Sequence, residues 1–371
     1  MISMLADAAA AFAKPDPRRV RALRGSAESF DRTVWRQMAE LGWLSIGVPE
    51  ASGGLGLNLA AATTVATRLG HAGFPEPYVA AAVMAPWCLA QADTGSCAPA
   101  VLADVLTGEC VAAPAWQNDQ GSLDPDQTAV VAQHDGDHTV LSGSCRFVLP
   151  ASADGFLVAA RAPAGLALYW VPRDQPGLVI DIEPCADGSA LARLHFSALR
   201  LPASHRLAGA PRAGQLLRDM LDRGTIAVSA ELVGLMDRAL EMTLDYLRTR
   251  RQFGKPIGSF QALQHRAVDI WIQRQLARAA VDAAVRTLDS PTSTAAARQL
   301  AASSAKSRAS HAALMLCTQA VQLHGAIGFT DEYDLGLYLN RALNLSAWLG
   351  NAAEHRRRYG ALAQLPAASA T

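Results

Sequence analysis

Residues 248–265 read RTRRQFGKPIGSFQALQH, which sets two adjacent arginines, an aromatic ring, glycines and a proline between two long helical patterns. A guanidinium is a planar fork of donors that matches two phosphate oxygens, and glycine lets backbone N–H groups come near them. The segment therefore reads either as an anion grip or as a helix end whose arginines answer the dipole. The dipole explanation suits Arg251 better than Arg250. Other reactive residue types are less organised. The six cysteines, Cys88, Cys97, Cys110, Cys145, Cys185 and Cys317, are scattered without a Cys-x-x-Cys or a nearby histidine pair, so no metal is expected and buried reduced thiols are. Gly53, Gly54 and Gly56 read as a turn and not as a phosphate loop, because no Lys-Ser/Thr follows them. His265 and His324 flank the interesting motifs, where a histidine more often packs or bonds to backbone than does chemistry.

Three textures of sequence must position these groups. Residues 1–110 are rich in Ala and Leu at helical spacing, broken by VPEASGGLGLN at 48–58, and read as an N-terminal helical domain. Residues 111–205 hold short β-favouring runs (TAVVAQ, HTVLSGSCRFVL, GFLVAARA, GLALYWVP, ARLHFSAL) between turn signals, which reads as a middle antiparallel, barrel-like β domain. Over 206–371 the helical period returns. Leu232, Leu235, Ala239, Met242 and Tyr246 form one stripe leading to the arginines. Further helices are expected over 259–288, from Ser293 or Thr294 to Gly325, and from Asp334 to Ala361, where Tyr333 and Asp334 would cap. Four long helices with short connections make a C-terminal four-helix bundle. The fold class is mainly α with a small β domain.

With 371 residues, half of them hydrophobic, the chain can bury several cores. Lys plus Arg and Asp plus Glu balance at 33 each, so no global field draws it to nucleic acid or an anionic membrane. Apolar runs such as AAAVMAPWCLA fall short of the roughly 20 residues of a membrane span, and the N-terminus lacks the order of a signal peptide. A cytoplasmic setting is expected.

A helical domain, a β domain and a bundle in this order resemble the acyl-CoA dehydrogenases over nearly the whole chain. Arg250-Arg251-Gln252-Phe253-Gly254 with Pro256-Ile257-Gly258, and Gln322-Leu323-His324-Gly325-Ala326-Ile327-Gly328-Phe329-Thr330, carry the likeness downstream of VPEASGGLGL. The resemblance implies α,β-desaturation of an acyl-CoA thioester, with a carboxylate taking the α-proton and FAD accepting the β-hydride. It also implies FAD shared across a subunit interface. Arg250 and Gln252 would meet its pyrophosphate, Phe253 its adenosine, and Gln322 and Gly325 would close that site.

The chain departs from the family where the proton is removed. Aligned through Arg341, the usual glutamate position falls on Leu349, before Gly350. The alternative one, ten residues before Gly234, falls on Gly224, and the arginine expected after it falls on Thr225. Asp222 and Glu231 are weak substitutes, and Glu354 weaker. The flavin loop reads Pro114-Ala115-Trp116-Gln117-Asn118-Asp119-Gln120-Gly121-Ser122, keeping only the family's Gly-Ser pair, so Ser122 is the remaining hydroxyl. On the next strand the family's tryptophan and threonine become Phe147 and Leu149. Trp348 would line an acyl pocket or the core.

These features resemble the base-lacking subunits of actinobacterial heteromeric enzymes, in which one chain lends the pyrophosphate half of an FAD site to a related partner. Two other arrangements stay open: a self-sufficient homo-oligomer with a displaced base, and a non-catalytic binding or scaffold protein of the same fold. A homo- or hetero-tetramer acting on an acyl-CoA is implied by the first two.

Overall fold

The computed structural model describes residues 2–364. Helices α1 (Ile2–Phe12), α2 (Pro17–Leu23), α3 (Arg32–Glu40), α4 (Leu59–Ala72), α5 (Ala85–Leu89) and α6 (Ala98–Thr107) come before the strands. Helices α7 (Arg212–Thr249), α8 (Gln261–Asp289), α9 (Ala295–His324), α10 (Leu335–Ala347) and α11 (Ala352–Ala363) come after the main sheet. Its strands are β1 (Ala112–Ala115), β2 (Val131–Asp135), β3 (His138–Val148), β4 (Gly155–Ala162), β5 (Gly165–Pro172), β6 (Leu178–Pro184), β7 (Ala190–Pro202) and β8 (Arg206–Ala208), while β9 (Arg251–Gln252) and β10 (Lys255–Pro256) form a separate hairpin. Contacts divide the chain into two compact units, one of Met1–Pro17, Thr63–Phe74 and Thr225–Thr371, the other of Arg18–Ala62 and Pro75–Gly224.

In the second unit the sheet runs β6-β7-β3-β2-β4-β5-β8, with β1 beside β4. It is mixed, not purely antiparallel: β1 and β2 both lie parallel to β4, because the chain leaves β1 through a long loop and returns by the β2–β3 hairpin before laying down β4. Alternating burial along β7 (Ala192, Leu194 and Phe196 inward) puts one face on the core, while β4 and β5 are buried on both faces and read as continuous apolar runs. The glycine turn after Val48 is a close approach as much as a bend. A Cβ on Gly54 would sit 2.1 Å from the Val48 carbonyl oxygen, while Gly53 and Gly56 take positive φ.

In the first unit α9 is the central rod. Its Ala302, Ala305, Ala309, Ala312, Ala313 and Ala320 are buried, and small side chains let α8, α10 and α11 approach it closely. Thr294 caps its start, accepting the N–H of Ala297, and Gly325 at φ +66° ends it. By length and composition Ala295–Phe329 could cross a membrane, at mean hydropathy 1.3; half of that window is buried inside the protein. The expected fourth bundle helix is two helices. Leu349 and Gly350 both take positive φ (58° and 93°), which breaks the rod between α10 and α11. Asn351 and Glu354 then restart it as a reciprocal capping box. Asp334 precedes α10 without a side-chain capping bond, and Tyr333 is turned elsewhere.

Candidate functional site

Helix α7 ends at Thr249, and its last turn delivers the arginines to a two-residue hairpin. Gln252 pairs with Lys255, so Phe253 and Gly254 are the two central residues, both at positive φ (50° and 78°). A left-handed phenylalanine is costly, on the order of 1–2 kcal/mol, and it is held at a tip where its ring is 90 % exposed. Strain of this kind concentrates at binding sites. The ring meets Phe260 edge-on at 6.0 Å, and Lys255 lies over Phe260. The backbone closes beneath: Arg250 donates its N–H to Tyr246 and accepts from Ile257, each at 2.8 Å. Arg251 is turned back onto the Gly254 carbonyl and Gln252 onto the Arg251 carbonyl. The Arg250 guanidinium is exposed and bonds to nothing among the described residues.

The second motif lies beside the first. Tyr246, one turn before Arg250, stacks on His324 with ring centroids 4.4 Å apart. His324 is buried, and its Nε2 is 3.1 Å from the Tyr333 hydroxyl. The end of α7 and the Gly325–Phe329 turn are thereby joined, leaving the Gln322 side chain, Gly325, Ile327 and a 78 % exposed Phe329 facing outward. A free guanidinium, a free amide, a glycine and exposed rings fit the tail of a dinucleotide: donors for a diphosphate, apolar faces for a purine.

The positions expected to carry a base are filled otherwise. Leu349 is 4 % exposed, and its carbonyl accepts from His355 Nε2 at 2.8 Å. Burial, with the Lys306 charge adding to it, pushes the His355 ring down to about 3, so it is neutral and donates through Nε2. At Gly224 a Cβ would stand 2.3 Å from the Met84 sulfur, and a larger side chain would have to displace Met84. Asp222 is buried, at 1 % exposure, in the sheet unit. Glu231 lies in the other unit, where its Oε1 accepts from Arg341 Nη2 at 2.7 Å and Nε at 3.2 Å, both residues buried. Glu354 is spent on the Asn351 cap, His265 is exposed on α8, and Trp348 is buried.

In the sheet unit, Phe147 takes φ +61° at a bulge in β3, under the Arg146 guanidinium at 5.0 Å. Its ring lies within 3.4 Å of where a Gly121 Cβ would be. The loop before it is tied inward: Gln117 Nε2 donates to the Gly121 carbonyl at 3.1 Å, Asp119 pairs with Arg193 at 2.6 Å, and Ser122 accepts the Asp124 N–H at 3.1 Å. A ring and the Ser122 O–H fit a flavin; the Gln117 amide is already engaged, and buried Leu149 offers no hydroxyl.

Sequence reasoning missed Lys306. It is wholly buried in the bundle, with Nζ donating to Ser310 Oγ (3.1 Å) and to the Leu345 (2.8 Å) and Ser346 (3.1 Å) carbonyls at the end of α10. Three donors meet three acceptors, although burial still pushes the amine down to about 7 against the pull of Glu354. Only a lysine among small residues in AASSAKSRAS marked it. Among the described residues no group of His, Cys, Asp and Glu could hold a metal, and Cys88, Cys97, Cys110, Cys145 and Cys317 are free thiols.

Profiles described as "Acyl-CoA dehydrogenase, N-terminal domain" and "Acyl-CoA dehydrogenase, C-terminal domain" match residues 2–109 and 215–361. Acyl-CoA dehydrogenase IpdE2 of Mycobacterium tuberculosis is 31 % identical over 92 % of this chain and 90 % of its own. The chain belongs to the acyl-CoA dehydrogenase family. Its relatives by fold include the ChsE4-ChsE5 complex from Mycobacterium tuberculosis, at TM-score 0.87 and 27 % identity over 99 % of this chain and 98 % of that one. The Tcur3481-Tcur3483 steroid ACAD G363A variant matches at TM-score 0.87 and 29 % identity over 98 % and 97 %. Members of the acyl-CoA dehydrogenase family are FAD-dependent oxidoreductases acting on a CH–CH bond.

Proposed function

We propose that this chain is one subunit of a heteromeric acyl-CoA dehydrogenase and lends the pyrophosphate and adenine half of an FAD site to a related partner chain. Arg250 takes the diphosphate, with Gln252 and Gln322 completing the polar grip, Phe253 packing on the adenosine and Gly325 allowing the backbone close. The observation that carries this is the pairing of a free, exposed Arg250 beside a strained, exposed Phe253 with base positions occupied by Leu349 and by Gly224, where the Met84 side chain fills the space a side chain would need. What is offered outward suits a neighbour's cofactor; what a chain needs for its own chemistry is missing. FAD, when bound, supplies the hydride acceptor, and the partner supplies the carboxylate that removes the α-proton. An exposed apolar face on α8 (Val268, Trp271, Ile272, Leu276) supports association. Two solved relatives, ChsE4-ChsE5 and the steroid ACAD Tcur3481-Tcur3483, are named as pairs of chains, which supports the same arrangement here, and the second is a steroid enzyme, so a steroid-derived acyl-CoA thioester is the first substrate to try.

The test is to purify the chain alone and with a co-expressed family member. Turnover of an acyl-CoA by the pair and none by the chain alone supports the proposal. Turnover by the chain alone that vanishes in Asp222→Asn or Glu231→Gln replaces it with a homo-oligomer using a displaced base. A pair that assembles without binding flavin in either chain leaves the scaffold reading.

A further inference from the structure

We infer that His324, acting through Tyr333 and Tyr246, is a positioning residue that holds the two halves of the dinucleotide grip in one frame. The inference rests on the reading of Arg250 and Gln322 as that grip. His324 Nδ1 lies 2.7 Å from the Ala320 carbonyl oxygen, which can only accept, so Nδ1 carries the ring hydrogen. Burial opposes a second proton on the ring, against the pull of the Ala320 and Met242 carbonyls. Its Nε2 stands 3.1 Å from the Tyr333 hydroxyl, and the Met242 carbonyl of α7 also reaches the ring.

A single imidazole thus touches three segments that separately carry exposed groups. Its Nδ1–H takes an end carbonyl of α9, and the ring itself stands two residues after Gln322 and one before Gly325, whose φ/ψ of +66°/−141° only glycine adopts readily. Its Nε2 closes the turn that returns at Tyr333. Its face carries Tyr246, whose carbonyl receives the Arg250 N–H, and Tyr246 also meets Tyr333 edge-on at 6.5 Å. The ring is buried, so it reaches a ligand only through these neighbours. Removing it frees α7's last turn from the Gly325–Tyr333 turn and lets Arg250 and Gln322 move independently.

ADP, the tail fragment by itself, is titrated into the whole 371-residue chain by calorimetry. Tyr333→Phe, which deletes one hydroxyl and keeps the ring, should weaken ADP by about threefold, and His324→Phe, which keeps the stack and loses both bonds, by about tenfold or more. His324→Gln, which can still accept from Tyr333, should recover most of the loss. A Tyr333→Phe protein with lowered thermal midpoint but unchanged ADP affinity, matched by unchanged affinity in any folded His324 variant, overturns the inference in favour of packing alone. Absence of ADP binding by the unmodified protein overturns the grip reading itself, and this role with it.

Discussion

Arg250 is exposed, extends from the last turn of a long helix and has a guanidinium that bonds to nothing among the described residues, whereas its neighbour Arg251 is folded back on the Gly254 carbonyl. The two arginines should therefore differ in effect. Arg250→Ala should weaken FAD in the assembled enzyme by about 10- to 100-fold, Arg250→Lys should restore only part of it because an ammonium lacks the bidentate fork, and Arg251→Ala should change it little, all read by flavin fluorescence on dilution. A second test concerns the buried bases. The His355 ring is held down to about 3 from 6.5, mainly by burial. As pH falls below 6.5 the unfolded chain takes this proton first, so stability is present above 6.5 and drains away toward 3. Lys306, pushed down from 10.5 to about 7, acts in a higher window: the unfolded chain holds a proton the folded one releases, so stability rises from pH 7 toward 10.5. Urea midpoints should show both slopes, each tenfold difference in proton affinity between folded and unfolded chain contributing about 1.4 kcal/mol; His355→Gln should flatten the acid one and Lys306→Met the alkaline one. A Lys306→Met protein with the unmodified slope would locate that titration elsewhere. Neither role was legible: His355 sits in EHRRR, which reads as a charged surface end, and full burial of a lysine is an exception to composition rules.

Between elements, α4 and α7 cross so closely at Gly70 and Gly234 that helices meet backbone to backbone. A Cβ on Gly234 would lie 1.8 Å from the Thr67 carbonyl oxygen, and one on Gly70 would lie 2.1 Å from that of Glu231. These neighbours are main chain and cannot swing aside. Gly234→Ala should cost about 1–3 kcal/mol, visible as a lower midpoint in thermal melts, while Gly360→Ala, with open space around it, should be neutral or stabilising. The long helices were readable because their apolar stripes persist over many turns, as Leu232, Leu235 and Ala239 show by being buried. The break at Leu349 and Gly350 was not. A leucine in the left-handed region carries no local signal; its carbonyl is held by His355 of α11, and the end of α10 before it by Lys306 of α9. Likewise, the parallel pairing of β1 with β4 depends on a crossover that strand propensity does not encode.

At the scale of the whole molecule, on the proposed reading, a family fold has kept what it presents to a neighbour and lost what it would use itself. The Arg250–Gly258 and Gln322–Thr330 motifs were visible in the sequence through the family resemblance; that they are joined through stacked rings was visible only in three dimensions, because Tyr246 is far along the chain from His324 and Tyr333. The central claim is tested most directly by counting flavin in the purified assembly of this chain with its partner, by absorbance of released FAD against total polypeptide. About one FAD is expected for every two chains, diminished by Arg250→Ala in this chain while the partner stays bound. One FAD per chain, or undiminished flavin in that variant, would contradict it.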